Sequence, residues 1–153
     1  MRRRGFTIIE LMTVLLVIAL LAGLAILRYI DLRHRAVSVA AISDLDAIRL
    51  AAYGRYYEDQ QWPADYGDGV TPTELVSYLP RGFSFTRPDY TMDWENLGST
   101  GGATGGAMQI GVIVTAKNSR LATVLAQSVG NRFPFTVIGN TVTYVIVGPD
   151  GRI

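Results

Sequence analysis

The chain has 153 residues and a formal charge of +1, from 14 Lys or Arg against 13 Asp or Glu. It has no cysteine and one histidine, His34, which excludes a disulfide framework and leaves little for thiolate or imidazole chemistry. The near-balance of charge gives no basic surface for nucleic acid.

Arg2, Arg3 and Arg4 come first, followed by Gly5 and an apolar run from Phe6 to Leu27. At about 1.5 Å per residue the run makes roughly 33 Å of helix, enough to cross a hydrocarbon core of about 30 Å. A cleaved secretory signal has a shorter apolar core, about 7–15 residues, ending at a small-residue site. Ala22, Gly23 and Ala25 are small, yet the apolar run continues past them. Basic residues beside a first span favour the cytoplasm. Arg28, Arg33 and Arg35 on the far flank make that bias modest. Glu10 is the only charge inside the run. A carboxylate at the bilayer centre costs roughly 2.5–3.5 kcal/mol or more, so one within a span calls for a partner. Its place in the first turn suits the positive end of the helix dipole. Ala19 and Gly23 have the small-xxx-small spacing that lets helices approach closely.

The stretch R-R-R-G-F-T-I-I-E-L resembles the N-terminal signal of type IV prepilins and type II secretion pseudopilins. Gly5, Phe6 and Glu10 stand at the three positions that carry the resemblance. It implies cleavage between Gly5 and Phe6 by a prepilin peptidase, N-methylation of Phe6, and retention of the apolar helix. It also implies that Glu10 meets the amino group of Phe6 on a neighbouring subunit. Losing Arg2, Arg3 and Arg4 with the leader would take the side-chain charge from +1 to −2. Many members carry Pro near position 27, where this chain has Leu27. Gly23 is a local weakness of about 1 kcal/mol relative to Ala, so whether the helix unwinds on assembly stays open.

Helical spacing continues beyond the span. Ala41, Leu45, Ile48, Ala52 and Tyr56 share a face, and Asp46 and Arg49 stand at a spacing that supports a weak pair. This predicts one helix from about Phe6 to Tyr57, with Tyr53, Tyr56 and Tyr57 as packing residues at its end. Its second half is amphipathic and needs a cover along one stripe. The approach to Trp62-Pro63 ends the helix. A short helix is expected after Thr71 as cap and Pro72 as first residue, ending by Leu79-Pro80. Strands are expected over 83–86, 90–95, 108–115, 135–138 and 141–147, the last two joined by Gly139-Asn140. A helix is expected over 118–129 with Asn118 as cap.

The expected fold is α+β: a long N-terminal helix on a small antiparallel sheet, like a pilin. Its parts are a leader (1–5), a membrane and polymerisation segment (6–27), an amphipathic segment (28–57) and a periplasmic head (58–153). The head has no His or Cys, so neither a Cys–His nor a Ser–His–Asp set is available to it, and no enzyme is expected. Its Gly-rich stretch at 98–106 lacks the Lys-Ser/Thr ending of a phosphate loop and reads as an inter-strand loop. Asp93 and Glu95 alternate on one strand face and read as solvated or hydrogen-bonded groups. Some pseudopilins use calcium, and Asp65 and Asp68 are the nearest candidates, although D-x-x-D-G-x4-E does not fit an EF-hand loop. No cofactor is expected.

The resemblance implies a structural subunit held in the bacterial inner membrane, N-terminus cytoplasmic and head periplasmic, and then built into a filament. Its partners would be other pilin or pseudopilin subunits, the prepilin peptidase, the inner-membrane assembly platform and, before assembly, lipid; nucleic acid is not expected. Pilus, secretion pseudopilus and DNA-uptake system are not distinguished, nor are major and minor subunits. The alternative is a membrane-anchored binding module that never polymerises.

Overall fold

Apolar residues repeating at helical spacing, with no proline before Pro63, produce a first helix, α1, over Ile8–Asp59. The computed structural model describes residues 6–98, 110–130 and 134–148. After α1 come a 3-10 turn (Thr73–Leu75), β1 (Tyr90–Asn96), β2 (Ile110–Ala116), α2 (Ser119–Val129), β3 (Phe135–Ile138) and β4 (Thr141–Val147). The chain divides into two compact units, Met1–Ala36 and Val37–Ile153.

In the first unit every described side chain is exposed except the partly covered His34. An 18-residue window of α1 has a mean hydropathy of 2.6 with none of it buried. In water that surface would be a severe liability, so length and composition suit it to a membrane or to a protein partner.

The second unit is a four-stranded antiparallel sheet in the order β1-β2-β4-β3, with helix packed on one face. Alternation along the strands sends Met92 and Trp94 of β1, Val112 and Val114 of β2, and Val142 and Tyr144 of β4 into the core. Leu45, Ile48 and Ala52 of α1 and Leu121 and Leu125 of α2 belong to the same buried cluster. Burying one such large aliphatic or aromatic side chain contributes about 1.5–3 kcal/mol. Ser38 is fully buried on α1, and its hydroxyl meets that of Ser128 on α2 at 3.1 Å. A small polar pair there lets the helices approach while satisfying both hydroxyls.

Several boundaries differ from the sequence expectation. The helix runs slightly past the expected Tyr57, to Asp59, and ends at Gln60, whose φ of 56° is left-handed. The Gln60 N–H then donates to the Tyr56 carbonyl at 2.8 Å, closing the last turn. Residues 83–86 form a single bridge between Thr86 and Thr91 rather than a strand. The Thr71 cap is not formed: the turn begins at Thr73, Pro72 takes the cap position, and no side chain caps it. By contrast, Asn118 caps α2 as expected, its Oδ1 accepting the Leu121 N–H at 2.8 Å. Gly139 adopts φ 64° in the β3–β4 turn, a conformation that glycine reaches without strain.

Candidate functional site

The N-terminus of α1 is built from Thr7-Ile8-Ile9-Glu10, a T-x-x-E sequence. Thr7 Oγ1 accepts the Glu10 backbone N–H and donates to Glu10 Oε2, both at 3.4 Å. This is half of a capping box: the Thr7 hydroxyl meets the Glu10 N–H, while the Glu10 carboxylate accepts from that hydroxyl rather than from the Thr7 backbone N–H, and so is held beside the helix start. The sequence carried that signal in the Thr7–Glu10 spacing, and reading Glu10 as a lone charge overlooked it. One turn later Thr13 donates to the Ile9 carbonyl at 2.8 Å, so its hydroxyl is satisfied within the apolar helix.

Glu10 is exposed and, among the described residues, makes no ion pair. Phe6 beside it is 70 % exposed. Ala19 and Gly23 lie exposed on one face, and a Cβ added at Gly23 would meet nothing within 4 Å. Nothing in the described chain itself therefore requires glycine there. Arg2, Arg3, Arg4 and Gly5 lie outside the described residues.

A second group of carboxylates gathers on the outer face of the sheet. Asp93 and Glu95 project there from β1, and the 64–70 loop brings Asp65 and Asp68 beside them. Asp65 Oδ1 accepts the Asn96 N–H at 3.4 Å, and Asp68 Oδ2 accepts the Thr91 hydroxyl at 3.1 Å. Burial, then the charges of Glu95, Asp68 and Asp65, pushes Asp93 up to about 6. Burial and Asp65 push Glu95 upward too. Glu74 stands apart. Burial would raise its pKa, but hydrogen bonds with its own backbone and with Tyr66, Ala64 and Thr73 outweigh this and lower it. Among the described residues no group of three or more His, Cys, Asp or Glu is arranged to hold a metal ion.

The helix in the second unit is clasped to β1 by Asp44. Arg87 donates from Nε and from a terminal guanidinium nitrogen to the two Asp44 oxygens at 2.9 and 3.0 Å, and the Tyr90 hydroxyl donates at 2.7 Å. The Asp44 hydrogen bond, outweighing burial, pushes Arg87 upward; burial and Asp44 push Tyr90 upward. Asp44 lies outside the Ala41–Leu45–Ile48–Ala52 stripe, so hydropathy spacing does not reveal this role. Farther along, Tyr56 stacks on Trp62 at 4.4 Å and Tyr53 meets its edge at 5.5 Å, while Tyr57 is exposed. Two of the three expected tyrosines therefore pack.

The two exposed features of α1, an apolar surface and a capped carboxylate, fit assembly better than chemistry. Residues 1–26 match the family described as the prokaryotic N-terminal methylation motif. Two relatives from Pseudomonas aeruginosa, each named a fimbrial protein, are 27% identical over 124 residues, covering 76% of this chain and 80% of the relative. No solved structure matches the chain. With its long helix and antiparallel sheet, the chain is a pilin-like protein that carries the prepilin-type N-terminal methylation motif.

Proposed function

We propose that the chain is a structural subunit of a type IV pilus-like or type II secretion filament. The observation that carries this reading is Glu10, a carboxylate held at the start of an otherwise apolar, fully exposed helix surface. In a low-dielectric helix bundle an unpaired carboxylate is costly, whereas a paired one fixes register. Cleavage after Gly5 would create a cationic amine at Phe6, four residues from Glu10, and the equivalent amine of an adjacent copy supplies the missing charge. Methylation of that amine keeps its charge. Ala19 and Gly23 allow the close helix approach that such pairing needs. The apolar segment holds the subunit in the inner membrane until the assembly platform extracts it, with the head on the periplasmic side.

Glu10→Ala tests the assembly step. The variant should still be cleaved and held in the membrane, but sheared filament should fall by at least about tenfold, the effect of losing roughly 1.4 kcal/mol per contact. Unchanged filament would refute this role for Glu10 and favour a tethered module. Intact mass tests maturation: a chain beginning at N-methylated Phe6 is expected, and one beginning at unmodified Met1 would overturn it.

A further inference from the structure

Charge returns to α1 as soon as the apolar run ends. Arg28, Asp31, Arg33 and Arg35 follow Leu27, and all four are exposed. Three of them share the side of the helix that carries Glu10. Arg28 lies 18 residues beyond Glu10. At about 3.6 residues per turn that is roughly five whole turns, so the two stand in line about 27 Å apart. Asp31 and Arg35 fall within about 60° of that line, while Arg33 falls about 140° away. One face of α1 therefore holds a carboxylate at the start of the apolar run and an Arg-Asp-Arg cluster just beyond its end.

The contact proposed at Glu10 sets where a parallel neighbour would lie. Phe6 comes four residues before Glu10. Bringing the neighbour's Phe6 amine level with Glu10 moves that neighbour about 6 Å along the axis. The same shift brings the neighbour's Asp31 level with Arg35, and its Arg28 within one residue of Asp31. Opposite charges meet at both places. Asp31 also stands three residues from Arg28 and four from Arg35 on its own helix, spacings that favour pairing there. An ionised carboxylate has acceptor sites for an internal and an external partner together. A lipid phosphate would be drawn to the arginines but repelled by Asp31 between them, which favours a second copy as the occupant.

We propose that this cluster is a second register contact of the filament: Asp31 of one copy receives Arg28 of the next, whose own Asp31 receives Arg35 of the first. The inference rests on the filament reading and its Glu10 contact. Exposed ion pairs are individually weak, so the cluster acts by disfavouring copies that are out of step, once at every subunit.

Mixed assembly tests it. Full-length Asp31→Arg and the double variant with Arg28→Asp and Arg35→Asp are expressed with a prepilin peptidase and assembly platform, each alone and both together. Each alone sets like charges against one another, and sheared filament should fall by roughly fivefold or more relative to the unsubstituted chain. Together they should recover a near-normal yield with both chains in the same fibres, because opposite charges then face each other between unlike copies. Full yield from both variants alone, or no recovery on mixing, would overturn the contact and leave the filament reading standing. Full yield from Asp31→Arg, with an unrescued loss for the acidic variant, would overturn it in favour of lipid headgroups. An unsubstituted chain that forms no filament would overturn both readings. The absence of cysteine gives a readout independent of charge reversal. Oxidised filaments co-assembled from Asp31→Cys and Arg35→Cys should yield dimers that neither variant yields alone, since a disulfide needs Cβ atoms about 3.5–4.5 Å apart. Filaments without those dimers would overturn the contact.

Discussion

Asp44 ties α1 to Arg87 and Tyr90 of the second unit. Its side chain is 15% exposed and receives three hydrogen bonds, two from Arg87. Replacing it with alanine leaves a half-covered guanidinium and the Tyr90 hydroxyl without their acceptor. Asp44→Ala should cost about 2–3 kcal/mol, and Arg87→Ala a comparable amount, because it leaves the more covered Asp44 carboxylate with the Tyr90 hydroxyl alone. Urea unfolding of both variants and the double in mild detergent measures the coupling; additive losses would show the clasp to be incidental. Asp93 acts in the opposite sense. Its pKa is raised from the ordinary carboxylate value to about 6, first by burial and then by Glu95, Asp68 and Asp65. Between about pH 4 and 6 the folded chain thus binds more protons than the unfolded chain, and stability falls as pH rises. Asp93→Asn should therefore stabilise at pH 7 by about 1 kcal/mol, discounted for the carboxylate's partial exposure, with the gain vanishing near pH 4. Thermal melts at both pH values check this, and a gain independent of pH would contradict it.

Among the elements, α2 is short enough for its cap to matter. Asn118 Oδ1 accepts the Leu121 N–H, and Gly130 closes the other end at φ 56°. Asn118→Ala should cost about 1 kcal/mol, with Asn118→Asp retaining most of it, as read by the unfolding midpoint. This cap was legible because asparagine before a Leu121–Leu125–Val129 stripe is a local signal. β3 and β4 were legible for a similar reason, strong alternation around a glycine turn. The expected strand at 83–86 failed because its aromatic residues serve tertiary contacts: Phe85 is fully buried and Phe83 meets it edge-on at 5.9 Å. Asp44 and Ser38 were not legible, since their partners lie 43 and 90 residues away. Hydropathy spacing cannot show a polar side chain whose burial depends on a distant donor. At the candidate site, Glu10 stood out from sequence because its neighbours are apolar for many residues, whereas the Thr7 hydroxyl that orders it needed the capping spacing to be noticed.

At the scale of the molecule, the two units have opposite relations to water. No described side chain before Val37 is buried, whereas the core cluster runs from Ala41 to Val147. Folding of the second unit therefore has no need of the apolar segment, whose surface is complete only in lipid or against another chain. A chain beginning at Val37 should be soluble without detergent and monomeric. Its exposed apolar residues, such as Val39, Leu50 and Ile138, are single side chains rather than a continuous span. It should unfold in one cooperative transition, since one core cluster draws on both helices and the sheet. Near-UV circular dichroism from the buried Trp94 and sedimentation velocity report packing and size together. The same fragment should not enter filaments formed by the full chain, because it lacks Phe6, Glu10 and the helix surface that follows them. Loss of the Trp94 signal would show that the helix before Val37 stabilises the head. Incorporation of the fragment into filaments would show that head contacts alone suffice, removing the apolar helix from the assembly mechanism.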